Sequence, residues 1–261
     1  MSRALGLIVF FISFGLSAQT NQPKVLHFVT DIFPGLVEDL GHGRVCGLAP
    51  YLTKAAAEAI GYGYEMEVLP LPRALKFMKS KAKDGIISIY KTAEREKFLN
   101  FTSQPFHVDA LQVFSREGET IPWNSKMESL QPYRIGVMQG WYYTDRFKNL
   151  NEKDPRYRFE WVPLRESGFK MLRAKRIDVL ISNDRILRGF YQSEKRNPDS
   201  KPDIVPLEPP LEHKGVYIGF AKSVPLEVVK AFDQALLQLL KDPKIKKVQE
   251  SPASLCPHSE G

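Results

Sequence analysis

A 14-residue pattern recurs in this chain. LKFMKSKAKDGIIS, Leu75 to Ser88, is matched without gaps by FKMLRAKRIDVLIS, Phe169 to Ser182, with five identities. Upstream of the two copies, EVLPL from Glu67 is echoed by EWVPL from Glu160, with the offset changed by one residue. Each copy reads as strand, amphipathic helix, strand, and units of this kind about 94 residues apart predict two lobes of similar architecture. The competing reading is that any amphipathic helix ahead of an apolar strand resembles any other. Each copy ends in a strand whose carboxyl end carries a serine, Ser88 or Ser182. In open α/β sheets ligands bind in the crevice outside those ends, so two such crevices face to face make one enclosed cleft.

The rest of the chain alternates in the same manner, which argues for α/β layering. Val25 to Val29, Tyr64 to Leu69 and Ile86 to Ile89 read as strands. Leu48, Leu52, Ala55, Ala56, Ala59 and Ile60 recur at helical spacing until Gly61, and Leu71, Ala74, Leu75, Met78 and Ala82 form the apolar face of a second helix. His107 to Arg116 is strand-like and leads out of the first lobe. The chain returns over Lys214 to Ala221, after the Pro-rich stretch Pro202 to Pro210, and two opposed crossings make a hinge. A final helix starts at Pro225, with Leu226, Val229, Phe232, Leu236 and Leu240 as its apolar stripe, and packs back on the first lobe.

Met1 to Ala18 holds Arg3, an uncharged apolar run of 13 residues from Ala4 to Leu16, and the small pair Ser17 and Ala18. That order is a secretory signal peptide with cleavage after Ala18. Retention as an anchor is the alternative, but the run is shorter than the roughly 20 residues of a spanning helix. Position 19 is Gln and not Cys, so a lipid-attachment signature is missing. The formal charge is +7, with basic and acidic residues interspersed, so nucleic-acid binding is not indicated. In an oxidising compartment the two cysteines, Cys46 and Cys256, have one possible pairing, a clip from the tail to the first lobe; the alternative is two thiols, because their spacing does not set their distance. The five histidines are scattered singly, and neither a metal site nor a cofactor is expected.

The segment DGIISIYKTAEREKFLNFTSQPF from Asp84 to Phe106 resembles the extracellular solute-binding proteins of family 3, which include binding proteins for polar amino acids. IGVMQG from Ile135 and RIDVLISND from Arg176 resemble that family's second-lobe strands, and the likeness covers nearly all of the mature chain. It implies the type II periplasmic binding protein fold: α/β, two lobes, each a central sheet flanked by helices, joined by a two-strand hinge. The expected division is 1–18 signal peptide, 19–116 first part of lobe 1, 117–213 lobe 2, 214–250 return to lobe 1, and 251–261 tail.

Arg95 follows a strand end and the helix-start residue Thr92, so its guanidinium is placed to take a ligand carboxylate in a bidentate pair. The resemblance implies the same role; the alternative is a surface arginine among Lys91, Glu94, Glu96 and Lys97. Ser88 and Tyr90 supply further donors at that strand end. Asp31 resembles the family's first-lobe acidic contact, or else caps a turn, and Phe33 offers an apolar wall. Arg73 resembles a position where some members have arginine, though a helix-surface charge explains it as well. In the second lobe Gln139, Gly140, Trp141 and Tyr142 begin a helix after a strand, where terminal N–H groups favour anions. The family's ammonium-binding aspartate falls on Asn183, with Asp184 next. Either Asp184 substitutes for it or the ligand lacks an α-ammonium group. Asp178 caps the turn into its strand.

The expected function is capture of a small polar ligand, an amino acid or related carboxylate, by a periplasmic monomer that serves an inner-membrane ABC permease or a sensor. The alternative is an enzyme on the same fold, such as a cyclohexadienyl dehydratase, which needs a carboxylate placed as general acid or base. A purely structural exported protein is the third possibility.

Overall fold

The computed structural model describes residues 24–138, 154–163, 165–197, 200–250 and 255–256; the expected signal segment 1–18 lies outside them. In chain order the first half holds β1 (Val25–Thr30), β2 (Glu38–Asp39), β3 (Val45–Cys46), α1 (Leu48–Ala59), β4 (Gly63–Val68), α2 (Leu71–Lys79), β5 (Gly85–Tyr90), α3 (Ala93–Glu96), β6 (Leu99–Phe101) and β7 (His107–Arg116). The second half holds a 3-10 turn (Met127–Leu130), β8 (Arg134–Met138), β9 (Arg158–Val162), α4 (Arg165–Arg173), β10 (Val179–Asn183), α5 (Asp184–Ser193), β11 (Ile204–Ala221), α6 (Leu226–Lys241) and α7 (Pro243–Glu250).

The main sheet is ordered β4-β1-β5-β11-β7-β10-β8-β9, with β6 also on β11. The repeat is visible in this order. β1 is flanked in parallel by β4 and β5, and β8 is flanked in parallel by β9 and β10. Between the two parallel triplets run β7 and β11, antiparallel to each other and long enough to pair with both halves. Each half has its own two apolar layers: Phe28 and Ile87 face one side of the first sheet and Val29 and Ile86 the other, while Val113 and Ile181 oppose Phe114 and Leu180 in the second. Phe28 packs edge-on against Phe220, ring centroids 5.6 Å apart, and Phe220 against Phe232 at 4.9 Å, which seats α6 on the first lobe.

Identical residues of the 14-residue repeat make identical local contacts. Lys81 and Lys175 both sit in the left-handed region, φ 60° and 58°, just past the ends of α2 and α4. The amides of Ala82 and Arg176 reach back to the carbonyls of Phe77 and Met171, the bond pattern of a Schellman cap. Asp84 then accepts the amide of His27 at 2.8 Å, and Asp178 accepts that of Arg134 at 2.9 Å, tying each repeat to the central strand of its own sheet. Asp178 also takes the Arg134 guanidinium, Nη2 at 2.7 Å.

Two details differ from the expected layout. The Pro-rich stretch 202–210 is not a plain connection: from Ile204 it is part of β11, and Pro206 lies opposite Phe114. Here β11 pairs with β7 alone, so a proline costs no ladder bond on its outer edge. In α6, Val229, Phe232 and Leu236 are buried, but Leu226, in the first turn, is 52% exposed, and α7 follows the helix. Cys46 and Cys256 are joined, Cα atoms 5.2 Å apart, so the tail is clipped to β3.

Candidate functional site

A cavity opens where β5 and β10 end and β7 passes between them. It is lined by Phe33, Leu36, Leu71, Ser88, Ile89, Tyr90, Arg95, Asp109, Arg185 and Val216, and measures about 30 Å³, room for about two waters. Its walls come from both lobes: Phe33 to Arg95 from the first, Asp109 from the crossing strand, Arg185 from α5 of the second.

Ser88 is the strained point. The pairing of β5 with β11 shifts register between Tyr217 and Gly219, so β5 carries an extra residue there. Ser88 takes up the excess at φ 59°, a conformation that L residues other than glycine rarely adopt. Its hydroxyl is buried against the cavity and has no hydrogen-bond partner among the described residues. Buried polar atoms are seldom left in that state, and backbone strain of this kind gathers at ligand sites.

Arg95 is held from two sides. The Thr92 hydroxyl accepts its amide at 3.2 Å, which starts α3, and its Nη1 donates to the Tyr90 carbonyl at 2.8 Å. The side chain is 8% exposed, so a surface role is excluded. Arg95 is among the residues that line the cavity beside the strand end.

Asp109 collects donors from three elements. The Tyr90 hydroxyl donates to Oδ2 at 2.6 Å, and Arg185 donates through Nε to Oδ1 at 2.9 Å and through Nη2 to Oδ2 at 2.5 Å. His107 Nε2 lies 3.2 Å from Oδ1. Burial pushes the Asp109 carboxyl up, but the bonds from His107, Arg185 and Tyr90 outweigh it and hold the group at about 2. Tyr90 is pushed well above its ordinary value, first by burial and then by the Asp109 charge, while the Arg185 charge and, less, Asn183 oppose the shift. The network is thus an ionised carboxylate under a neutral phenol.

Of the residues expected at the site, Ser88, Tyr90, Arg95 and Phe33 line the cavity. Asn183 stands behind Tyr90 as the cap of α5, its Oδ1 accepting the Ile186 amide at 3.0 Å. Asp31 accepts the amides of Ile32 and Leu71, at 2.8 and 3.1 Å, which ties the loop after β1 to the first turn of α2. Arg73 is exposed, its guanidinium 5.6 Å from the Phe77 ring centre, and Asp184 pairs with Arg188 one turn along the outside of α5. Neither lines the cavity. Gln139, Trp141 and Tyr142 lie outside the described residues.

The residues that sequence reasoning passed over are Asp109 and Arg185. A signal existed for the first: Asp109 is a lone acid in HVDALQVFSR, a strand that otherwise reads as buried. Arg185 also donates to the Pro34 carbonyl at 3.2 Å, so one side chain bridges the lobes.

The fold and the cleft define a solute-binding protein of the type II periplasmic class. The chain belongs to the bacterial extracellular solute-binding proteins, family 3, whose model matches residues 34–251. A relative, the arginine-binding extracellular protein ArtP of Bacillus subtilis (strain 168), is 23% identical over 210 residues, 79% of this chain and 77% of that one. Among solved structures, an ancestral arginine-binding protein bound to arginine superposes with a TM-score of 0.71 at 20% identity, covering 87% of this chain and 97% of its own. A histidine kinase sensor domain with similarity to periplasmic binding proteins gives 0.73 at 16% identity, over 89% and 97%.

Proposed function

We propose that this protein is a non-catalytic periplasmic receptor for a small carboxylate, an amino acid or related acid, which it presents to an inner-membrane ABC permease or to a sensor. The observation that carries this reading is the Ser88 hydroxyl, buried without a partner among the described residues on a strained backbone, in the same cavity as Arg95. An acid group between them receives the hydroxyl donor and the positive charge of the guanidinium, inside a site from which closure removes water and so strengthens each contact. The lobe division at 116/117 and 213/214 and removal of Met1 to Ala18 on export belong to the same reading. Against catalysis, Asp109 is the carboxylate among the described lining residues, and it is ionised and surrounded by donors, which suits neither a general acid nor a base.

The test is a thermal-shift and calorimetric screen of the protein against amino acids, organic acids, polyamines and short peptides. A carboxylate ligand raises the melting temperature by mass action. Arg95→Ala abolishes that shift while the unliganded variant still melts cooperatively. An undiminished shift in Arg95→Ala removes the carboxylate role, and turnover of prephenate or arogenate replaces the receptor reading with an enzymatic one.

A further inference from the structure

We infer that the outer face of α2 is a docking surface for anionic phospholipid, and that the protein adsorbs through it to a membrane carrying that charge. The interaction is independent of the solute site and goes beyond the receptor reading.

From Leu71 to Lys83 the chain carries five basic residues, Arg73, Lys76, Lys79, Lys81 and Lys83, and no acid. Spacings of three put Arg73, Lys76 and Lys79 on one side of the helix. Leu71, Ala74 and Met78 are buried against the sheet on the other side. Lys83 is paired with Glu67 at 2.8 Å. Arg73, Lys76, Lys79 and Lys81 are exposed, and no carboxylate among the described residues pairs with them. Two of these cations lie over rings: the Arg73 guanidinium is 5.6 Å from the centre of Phe77, and the Lys79 ammonium is 5.4 Å from that of Phe98.

The fold itself does not demand this charge, as the repeat shows. In the second copy Lys79 is matched by Arg173 and Lys83 by Ile177. Arg173 is neutralised inside its own lobe, 2.8 Å from Glu194 and 2.6 Å from Asp203. The same helix on the same kind of sheet is thus built in one lobe with its last cation paired, and in the other with cations left facing outward. Like charges three positions apart on a helix repel, and an anionic surface relieves that repulsion. Cations on flexible stems along a convex helix suit the diffuse field of a headgroup layer, which has no fixed pattern of acceptors to match. Each one brought to such a surface strengthens adsorption by about fivefold. For an exported receptor that serves an inner-membrane partner, as proposed above, adsorption holds the protein beside the membrane in which that partner sits.

Co-sedimentation with vesicles tests this. Every element of the fold lies after Gln19, so the chain from that residue is used, free of the apolar run Ala4 to Leu16. It adsorbs to vesicles of phosphatidylglycerol and phosphatidylcholine in equal parts and not to phosphatidylcholine alone. It is released in ~1 M salt, where the screening length is about 3 Å. Lys76→Gln, Lys79→Gln and Lys81→Gln together, checked for a cooperative melt, weaken adsorption by about a hundredfold. The control takes the same charge from α7, which packs on the opposite side of the sheet. Lys244→Gln, Lys246→Gln and Lys247→Gln, all at exposed positions, together change adsorption by less than about fivefold. Equal losses in the two triple variants would mean that net charge alone is at work and overturn the inference, as would equal adsorption to the two kinds of vesicle. Absence of adsorption also overturns it; if immobilised polyglutamate then retains the parent and not the α2 variant, the face belongs to an acidic protein instead.

Discussion

Arg185 and Asp109 stand 76 positions apart and meet as a buried ion pair, the guanidinium edge along both carboxylate oxygens. One belongs to the first turn of α5 in the second lobe, the other to a strand shared by both lobes, and the Arg185 Nη1 continues to Pro34 of the first. The contact is therefore at once a piece of the cavity wall and a clasp between lobes.

Breaking this pair from one side leaves a charge buried alone. Arg185→Ala or Asp109→Asn is expected to cost about 3–5 kcal/mol in urea unfolding. Replacing both by apolar residues, Arg185→Met with Asp109→Leu, is expected to recover most of that loss. Additive losses in the double variant would show that the two groups do not act as a pair.

Acid weakens the protein through the same carboxylate. Asp109 is held at about 2 against an ordinary 3.8, so its contribution is fully present above about pH 4 and is lost as pH falls toward 2. The linked loss is about 2 kcal/mol, on the order of one pKa unit per 1.4 kcal/mol. Unfolding curves at stepped pH should show this fall in the parent chain and not in Asp109→Asn; parallel curves contradict it.

Gly189 of α5 lies against Pro34, and a Cβ there would stand 2.6 Å from the proline ring. Gly189→Ala is expected to prop the lobes apart. Small-angle scattering of the unliganded variant would report a larger radius of gyration than the parent, and solute affinity would drop, with the separate cores of each lobe untouched. Identical scattering profiles would mean that this contact does not set the closure.

At Ser88 function and stability pull in opposite directions. Ser88→Gly relieves the left-handed backbone, and is expected to hold or raise the melting temperature by the equivalent of up to about 1 kcal/mol. The same change removes a buried hydroxyl from the cavity and weakens solute binding by about tenfold. A variant that binds as well as the parent would remove the hydroxyl from the site.

The link between Cys46 and Cys256 closes a loop of 210 residues. Constraining so long a segment of the unfolded chain stabilises by typically about 2–4 kcal/mol. Cys256→Ser and reduction of the parent should lower the urea midpoint to the same degree, and an effect of the variant alone would point to the tail's packing and not to the bond.

The lobed architecture was written in local pattern. Helical and strand periodicities, and a lysine at the same place after each repeated helix, report contacts made within a few residues, so Lys81 and Lys175 take the same cap and Asp84 and Asp178 the same anchoring bonds. Strand ends with polar residues marked one wall of the cleft, and Ser88, Tyr90 and Arg95 lie there. The remaining site residues could not be read that way. Asp31, which by sequence suited either ligand contact or a turn cap, makes the capping bonds to Ile32 and Leu71 because α2 begins beside it in space. Asp184 points outward and its neighbour Arg185 inward because one step along a helix turns a side chain by about 100°. Whether an aspartate in an apolar strand is tolerated depends on which cation reaches it, and that is settled by how two distant segments pack. Local periodicity carries no record of such a meeting; only the folded chain, with its lobes brought together, decides it.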